Sequence, residues 1–361
     1  MTQAISETAG APARRERREP RSSVVRTLAT FRRSLSGAAG LRIDQLPAGP
    51  LPDDLLHRIR EFEHRIATID AVGTPTICDQ GRDYTAYWRT AGRGVHLFTA
   101  TDADGRIVGV AAAMGMRLVM PTGRVRRATY LGHFRVLPEC RFGSTVGMLG
   151  ARMALASALQ GWTAFGVVLN HTSFTPQRVA SSIGIGAYRA IGTQRLVYFP
   201  TDAAEPGDRA GVREVTEAEV RRAYADFTRG MIRASGGNPH ARSLRPPRWI
   251  MSADGNACAC IEDSERLRRW HGADGAPVRM STLTFFGWRD PRSAAAIVRG
   301  AMTIVASEGV PRVRALLDIS MAEQVAPHVG VPPSVVHDFQ LNAASPWGLP
   351  RAPWSLHPTE L

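Results

Sequence analysis

The chain has no lysine: all 45 basic side chains among its 361 residues are arginine. GC-rich coding is the simple source of such a bias, because arginine codons are GC-rich and lysine codons are not. The physical result is a formal charge of +13 carried wholly by guanidinium groups, which stay protonated and suit an anionic partner. Cysteine is scarce too. Cys78, Cys140, Cys258 and Cys260 form no CxxC pair, so neither a secreted disulfide framework nor a zinc site is suggested, and the chain reads as reduced and cytoplasmic. Cys258 and Cys260 would share one face of a strand, in a buried apolar role. His271, His328 and His337 are scattered without ligand spacing, so no metal is expected. Long apolar runs are missing. The best, residues 107–116, stops at Arg117 and is too short to cross a bilayer, so no membrane partner is expected. The N-terminal segment lacks the apolar core of a signal peptide. No GxGxxG follows the first expected strand, which speaks against a dinucleotide fold.

What is present is apolar material enough for real cores, 44% of residues against 21% charged, in a length comfortable for two ordinary domains. The stretch "APARRERREPRSSVVRTLATFRRSLSG" concentrates arginine. Residues 1–40 read as a disordered basic tail that carries a disproportionate part of the charge; it leaves nucleic acid open as a partner without favouring it. Apolar spacing then predicts a strand at 41–44, a helix over 52–66 with Leu55, Ile59, Phe62 and Ile66 on one face, and a second helix near 84–90. The loop between the helices, 70–83, is rich in turn formers. Strands follow at 95–101, 106–120 and 127–136, then a helix over 144–160, a strand at 163–169, a short helix at 176–183 and a strand at 190–199. A first domain therefore spans 41–200, and turn residues with little apolar content make 201–211 a linker. Beyond it a similar order returns in weaker form over 212–361: a helix at 217–229, strands at 257–261, 267–270 and 278–286, a helix at 292–308, and strands at 313–319 and 334–341.

The most informative stretch is "YLGHFRVLPECRFGSTVGML", residues 130–149, where a strand breaks at Leu137-Pro138-Glu139 and hands over to a helix. The first turn of a helix presents unpaired N–H groups and the positive end of its dipole. Gly143 allows close backbone approach, Ser144 and Thr145 can cap or donate, and Arg141 adds a forked cation, so a pyrophosphate would sit well here. A plain helix cap after a strand is the alternative.

Val136-Leu137-Pro138-Glu139-Cys140-Arg141, on the fourth strand of a β-α-α-β-β-β-α-β-α-β order, resembles the acetyl-CoA motif of the GNAT superfamily of N-acyltransferases, Val-x-Pro-x-x-Arg/Gln-x-x-Gly-x-Gly/Ala. The likeness covers about residues 41–200. It departs from the pattern in that the glycine, Gly143, comes two residues after the arginine, Ser144 stands at the third, and the last small position is Val146. The resemblance implies an α+β fold, a mixed, mostly antiparallel sheet flanked by helices, present twice in tandem with a degenerate second copy. It also implies acetyl-CoA or another acyl-CoA as co-substrate and an amine of a small molecule or peptide as acceptor. Its cofactor-binding positions fall on Phe134, Val136, Arg141, Phe142, Gly143, Ser144, Thr145 and Val146, with Asn170 on the pantetheine. The fourth and fifth strands would splay to admit the pantetheine arm, and backbone N–H groups near 132–134 would polarise the thioester. A base three residues before the motif valine falls on His133, whose ordinary pKa suits proton abstraction; Tyr130 and Arg135 are secondary candidates. The family's tyrosine acid falls on Ala180 and is absent, leaving Ser181, Ser182 or Tyr188 as substitutes. In the second copy "FFGWRDPRSAAAIV" puts Trp288, Asp290 and Pro291 where an open phosphate loop would be, and an acid there opposes pyrophosphate. Two other readings stand beside acyl-CoA transfer: transfer from an aminoacyl-tRNA, as in Fem-type tandem folds, and a non-catalytic binding protein that kept the fold. In an acyltransferase, a chain free of lysine amines also escapes stray acylation.

Overall fold

The computed structural model describes residues 40–66, 68–69, 75–141, 144–161, 163–169, 188–234, 237–345 and 348–357. The first half runs β1 (Arg42–Gln45), α1 (Asp53–Arg65), β2 (Thr68–Ile69), β3 (Pro75–Asp79), α2 (Ala86–Ala91), β4 (Arg93–Thr101), β5 (Ile107–Val119), β6 (Val125–Val136), a 3-10 turn (Pro138–Cys140), α3 (Ser144–Gln160), β7 (Ala164–Leu169) and β8 (Arg189–Pro200). The second half continues with β9 (Val212–Glu214), α4 (Glu217–Phe227), β10 (Ile232–Ala234), α5 (Pro239–Arg242), β11 (Arg248–Ser252), β12 (Ala257–Glu262), β13 (Arg269–Gly272) and β14 (Ser281–Trp288). It closes with α6 (Pro291–Ala306), β15 (Arg312–Asp318), α7 (Ile319–Val329), β16 (Val335–Ala344) and β17 (Trp354–Ser355).

One large sheet organises both halves. Its order, β1-β4-β5-β6-β7-β16-β8-β15-β14-β12-β11-β9, has the same pattern from either edge. Each half contributes an antiparallel pair, β5–β6 or β12–β14, followed by one parallel neighbour, β7 or β15. The next strand inward belongs to the other half: β16 lies beside β7, and β8 beside β15. The two exchanged strands pair with each other at the centre. All the pairs along this order except β6–β7 and β14–β15 are antiparallel, so the sheet is mixed and mostly antiparallel, with one strand pattern present twice.

Helices cover the sheet with the faces that their spacing foretells. In α1, Leu56, Ile59 and Phe62 are buried, and in α6 the buried stripe runs through Ile297, Ala301 and Ile304. Leu55, expected on the buried face of α1, and Ile66, just past its end, are only partly buried. Cys258 and Cys260 on β12 are fully buried with Val220, Trp249 and Phe285, the apolar role expected of them.

Several elements depart from the sequence reading. The segment read as a loop at 70–83 contains β3, which pairs antiparallel with β2 on one edge and with β13 of the other half on the other, Ile77 opposite His271; its longer pairing is with a segment far off in the chain, which leaves no local period to read. The last residue of the strand expected at 313–319 begins helix α7 instead, because the Asp318 carboxylate caps it by accepting from the Ser320 N–H at 3.2 Å. The short elements β9, β10, β11 and α5 were not anticipated. The tail at 1–39 and the helix expected at 176–183 lie outside the described residues.

Candidate active site

Strand β6 carries one residue more than β5 can pair. Between the Val110–Arg135 and Ala112–Gly132 pairs β5 advances two positions and β6 three, a β-bulge that re-aims the backbone. His133 sits in it at φ 51°, a conformation uncommon outside glycine but several-fold enriched in histidine, asparagine and aspartate. Beyond the bulge β6 and β7 part. Their parallel ladder has only Thr129 opposite Ala164 and Tyr130 opposite Phe165, whereas the other edge of β7 pairs with β16 from Ala164 to Leu169. The result is a wedge that opens towards Val136.

Two glycines form the apex of the wedge. A β-carbon on Gly166 would collide with the Leu131 carbonyl oxygen and lie 2.9 Å from the Tyr188 hydroxyl, while one on Gly132 would run into the Tyr130 ring. Tyr130 is buried, stacked 6.5 Å from Trp88 and edge-on to Phe165 at 5.4 Å, so it walls the apex. Tyr188 places a phenol beside the opening, and burial pushes its pKa up. Phe134 is half-buried against the core and Val136 is buried opposite Gly109.

At the mouth, the 3-10 turn leads to Arg141, which is exposed and donates from Nε to the Val136 carbonyl at 3.3 Å. Helix α3 begins at Ser144, has no acid in its first turn, and buries Thr145 and Val146 against the sheet. Glu139, the one carboxylate near by in sequence, is held by Arg65. A 17-residue helix therefore points its positive end at a mouth whose neighbouring carboxylates, Glu139 and Asp102, are paired with Arg65 and Arg106. Phe142, Gly143, Asn170 and Ser181 lie outside the described residues, as do Ala180 and Ser182.

Behind the bulge is a buried polar network that sequence reasoning did not assemble. Arg135 clamps Glu63 of α1 with both guanidinium arms, one at 2.5 Å, and Tyr84 donates to the same carboxylate. His133, its side chain 4% exposed, turns Nε2 into this network, 2.8 Å from both Arg135 Nη2 and the Tyr84 hydroxyl and 3.2 Å from Gln80. Since arginine can only donate, Nε2 accepts and the ring is neutral; burial, then Arg135 and Arg268, holds its pKa well below the usual value. Gln80 in turn accepts from the Trp88 indole at 3.1 Å. Arg268, from the second half, donates to the Cys78 thiol at 3.1 Å and stacks on Tyr87, tying the network to the seam between halves. The partners come from α1, the 80–84 turn and α2, and nothing local to β6 announces them.

The second half repeats the device and closes it. Strand β14 has its own bulge, advancing three positions where β12 advances two, with Phe285 at φ 50°. Here the bulge amide is occupied: Phe285 N–H donates to Nδ1 of His357 at 3.2 Å. His357 is buried, with its pKa pushed down to about 3 by burial and then by Arg242 and Arg221. The N-terminus of α6 is taken by Asp290, which accepts from the Ser293 N–H at 3.1 Å, and Ser293 also bonds Asp254 at 2.6 Å. Carboxylates stand here, whereas the first turn of α3 has none.

Among solved structures, Saccharomyces cerevisiae N-myristoyltransferase with bound myristoyl-CoA superposes at a TM-score of 0.54 and 9% identity, covering 84% of this chain and 79% of its own. The chain shares the fold of this enzyme, a GNAT-like fold. A structure of the same yeast enzyme with myristoyl-CoA and inhibitors gives a TM-score of 0.53 at 10% identity, over 84% of this chain and 81% of that one. The GCN5-related glucosamine N-acetyltransferase region of a fungal multi-domain β-N-acetylglucosaminidase gives 0.50 at 13% identity, over 84% of this chain and 38% of that one. No family model matches the chain, and no curated protein matches it in sequence. In this chain the wedge beside β6 leads through residues 136–141, which carry the sequence resemblance, towards the start of α3. Among the described residues no group of histidine, cysteine, aspartate and glutamate could hold a metal ion.

Proposed function

We propose that the protein transfers an acyl group from acyl-CoA to an amine, in the first half only. The observation that carries this reading is the wedge, open along β6 beyond Tyr130 and facing a helix N-terminus without acids. The diphosphate of CoA would meet the first-turn amides of Ser144 to Val146, with Phe142 and Gly143 completing the loop and Arg141 at the mouth. The pantetheine arm would run along β6 past Phe134 and Val136 towards Asn170, and the bulge amides would polarise the thioester carbonyl. The amine attacks that carbonyl carbon, the C–S bond breaks, and the thiolate leaves. Tyr188, kept protonated by burial, is placed to return a proton to it, with Ser181 as the other candidate donor. Tyr130 walls the pocket.

His133 enters this proposal in a changed role. Its accepting nitrogen faces Arg135 and Tyr84 rather than the opening, so it anchors the bulge as a positioning residue, and the amine surrenders its proton to water. In His133→Asn, which tolerates positive φ and keeps an acceptor, we expect kcat within about tenfold of wild type and an unchanged pH–rate profile. Loss of the acidic limb of that profile would restore His133 as the base.

The second copy, with its amide and helix end already filled, serves as scaffold and as one wall of the acceptor cleft. The acyl group was read from sequence as acetyl; the yeast enzyme's bound myristoyl-CoA makes chain length the first variable to scan. A thermal-shift series with CoA, acetyl-CoA, myristoyl-CoA and bulk tRNA tests the whole reading, since a ligand of the native state raises Tm. We expect CoA thioesters to stabilise and tRNA to leave Tm unchanged, with Arg141→Ala weakening CoA by roughly tenfold. Stabilisation by tRNA alone would move the donor to aminoacyl-tRNA, and none by either would leave a non-catalytic fold.

A further inference from the structure

The wedge accounts for one end of α3, and the other end carries a different surface. Met148, Arg152, Leu155 and Leu159 fall on one stripe of the helix, and Leu155 and Leu159 are 50% and 77% exposed. The stripe runs on into the β5–β6 hairpin. Gln160 accepts from the Thr129 hydroxyl at 3.1 Å, and Thr129 lies opposite Gly115. Further out on the same sheet face, Arg117 stands opposite Arg127 and Val119 opposite Val125, which is 60% exposed.

Arg117, Arg124, Arg127 and Arg152 are exposed, as is Arg93 opposite Gly115. Among the described residues none of these arginines is in an ion pair, whereas exposed Arg65, Arg82, Arg89 and Arg106 each hold a carboxylate. The cause lies in the sequence: from residue 105 to residue 201 the only acid is Glu139, and Arg65 holds it. Unneutralised guanidinium groups therefore surround protruding aliphatic side chains. A single-stranded nucleic acid would pair the arginines with stacking aromatics, and aliphatic knobs add nothing there. An anionic bilayer uses both, phosphates for the cations and the acyl boundary for the aliphatics.

We propose that this ledge seats the protein on the surface of an anionic lipid bilayer, with Val125, Leu155 and Leu159 entering the acyl boundary. Such attachment needs no spanning segment, and no described helix is long and apolar enough to cross a membrane. Helix α3 has 17 residues, about 25 Å, so the ledge and the anion site at its two ends do not overlap, and the proposal stands apart from acyl transfer.

The test is co-sedimentation of the full chain with phosphatidylcholine vesicles, with and without phosphatidylserine, beside anisotropy on single-stranded DNA. Binding is expected only to the anionic vesicles, weakened roughly fivefold per arginine in Arg117→Gln and Arg127→Gln, and at least as much by Leu155→Ser with Leu159→Ser. Tm should not move, since these side chains are exposed. The leucine pair decides, because the N-terminal tail is also rich in arginine. Binding to anionic vesicles that survives it overturns the proposal, as does equal binding to neutral vesicles or none to either. DNA binding lost with the arginines but untouched by the leucines, without vesicle binding, would replace lipid by nucleic acid.

Discussion

Glu63 shows how far a single residue can carry the site. Its carboxylate is 3% exposed and shared by Arg135 and Tyr84, so Glu63→Ala would leave a buried guanidinium without its counter-charge. We expect a loss of about 3–5 kcal/mol in urea unfolding, and a loss below 1 kcal/mol would show that water or another acceptor replaces the carboxylate. Buried histidines set the response to acid. His133 and His357 are neutral in the fold, their pKa values held below 6.5, that of His357 at about 3, while the unfolded chain takes up those protons near 6.5. Between these limits the unfolded state binds more protons, so the stability present above pH 6.5 is lost as pH falls, by roughly 1.4 kcal/mol per pH unit for each histidine. His357→Asn, which keeps an acceptor for Phe285 N–H, should flatten that slope in pH-dependent melting. At this scale the sequence was partly legible. His133 was singled out by its place on the strand, but its environment was not, because Glu63, Gln80 and Tyr84 reach it from other elements.

Elements decide where an opening can exist. Strands β6 and β7 can meet at Tyr130 and Phe165 and then diverge because Gly166 lets the Leu131 carbonyl come close and the bulge turns β6 away. Gly166→Ala should cost about 1–3 kcal/mol by overpacking, whereas Gly192→Ala, with nothing nearer than 4.0 Å, should stay within about 0.5 kcal/mol; equal Tm shifts in the two would mean that the apex is not tight. The β6–β7 ladder ends at Tyr130 and Phe165, so hydrogen exchange at the Leu131 and Gly132 amides, just beyond it, should slow when CoA binds. An unchanged rate would place the pantetheine elsewhere. Helices α3 and α6 were both readable from periodicity, and so was the contrast at their starts. Ser144 and Thr145 follow an arginine, while Asp290 precedes Pro291, and the carboxylate that argued against a second phosphate loop is the one that caps α6.

At the scale of the molecule, each half is completed by a strand from the other. Strand β8 lies between β15 and β16, and β16 between β7 and β8, so a fragment ending at residue 200 would expose β8 and one edge of β7 together. We expect fragments 41–200 and 212–361 to be unfolded or aggregated alone and to recover CoA-induced stabilisation only when co-expressed; a folded, monomeric 41–200 fragment would restore the view of two independent domains. The repeat itself was visible in element order, because alternating and helical periods are local and survive divergence. What the sequence by itself determined is therefore most of the long elements, the arginine-only charge and the strand–turn–helix proposed as an anion site. The tertiary structure alone decided that the final strands trade places, that Arg268 reaches Cys78 across the seam, and that the second wedge is filled by His357. These are contacts between segments far apart in the chain, and their energies depend on who the neighbour is, which no local pattern of residues encodes.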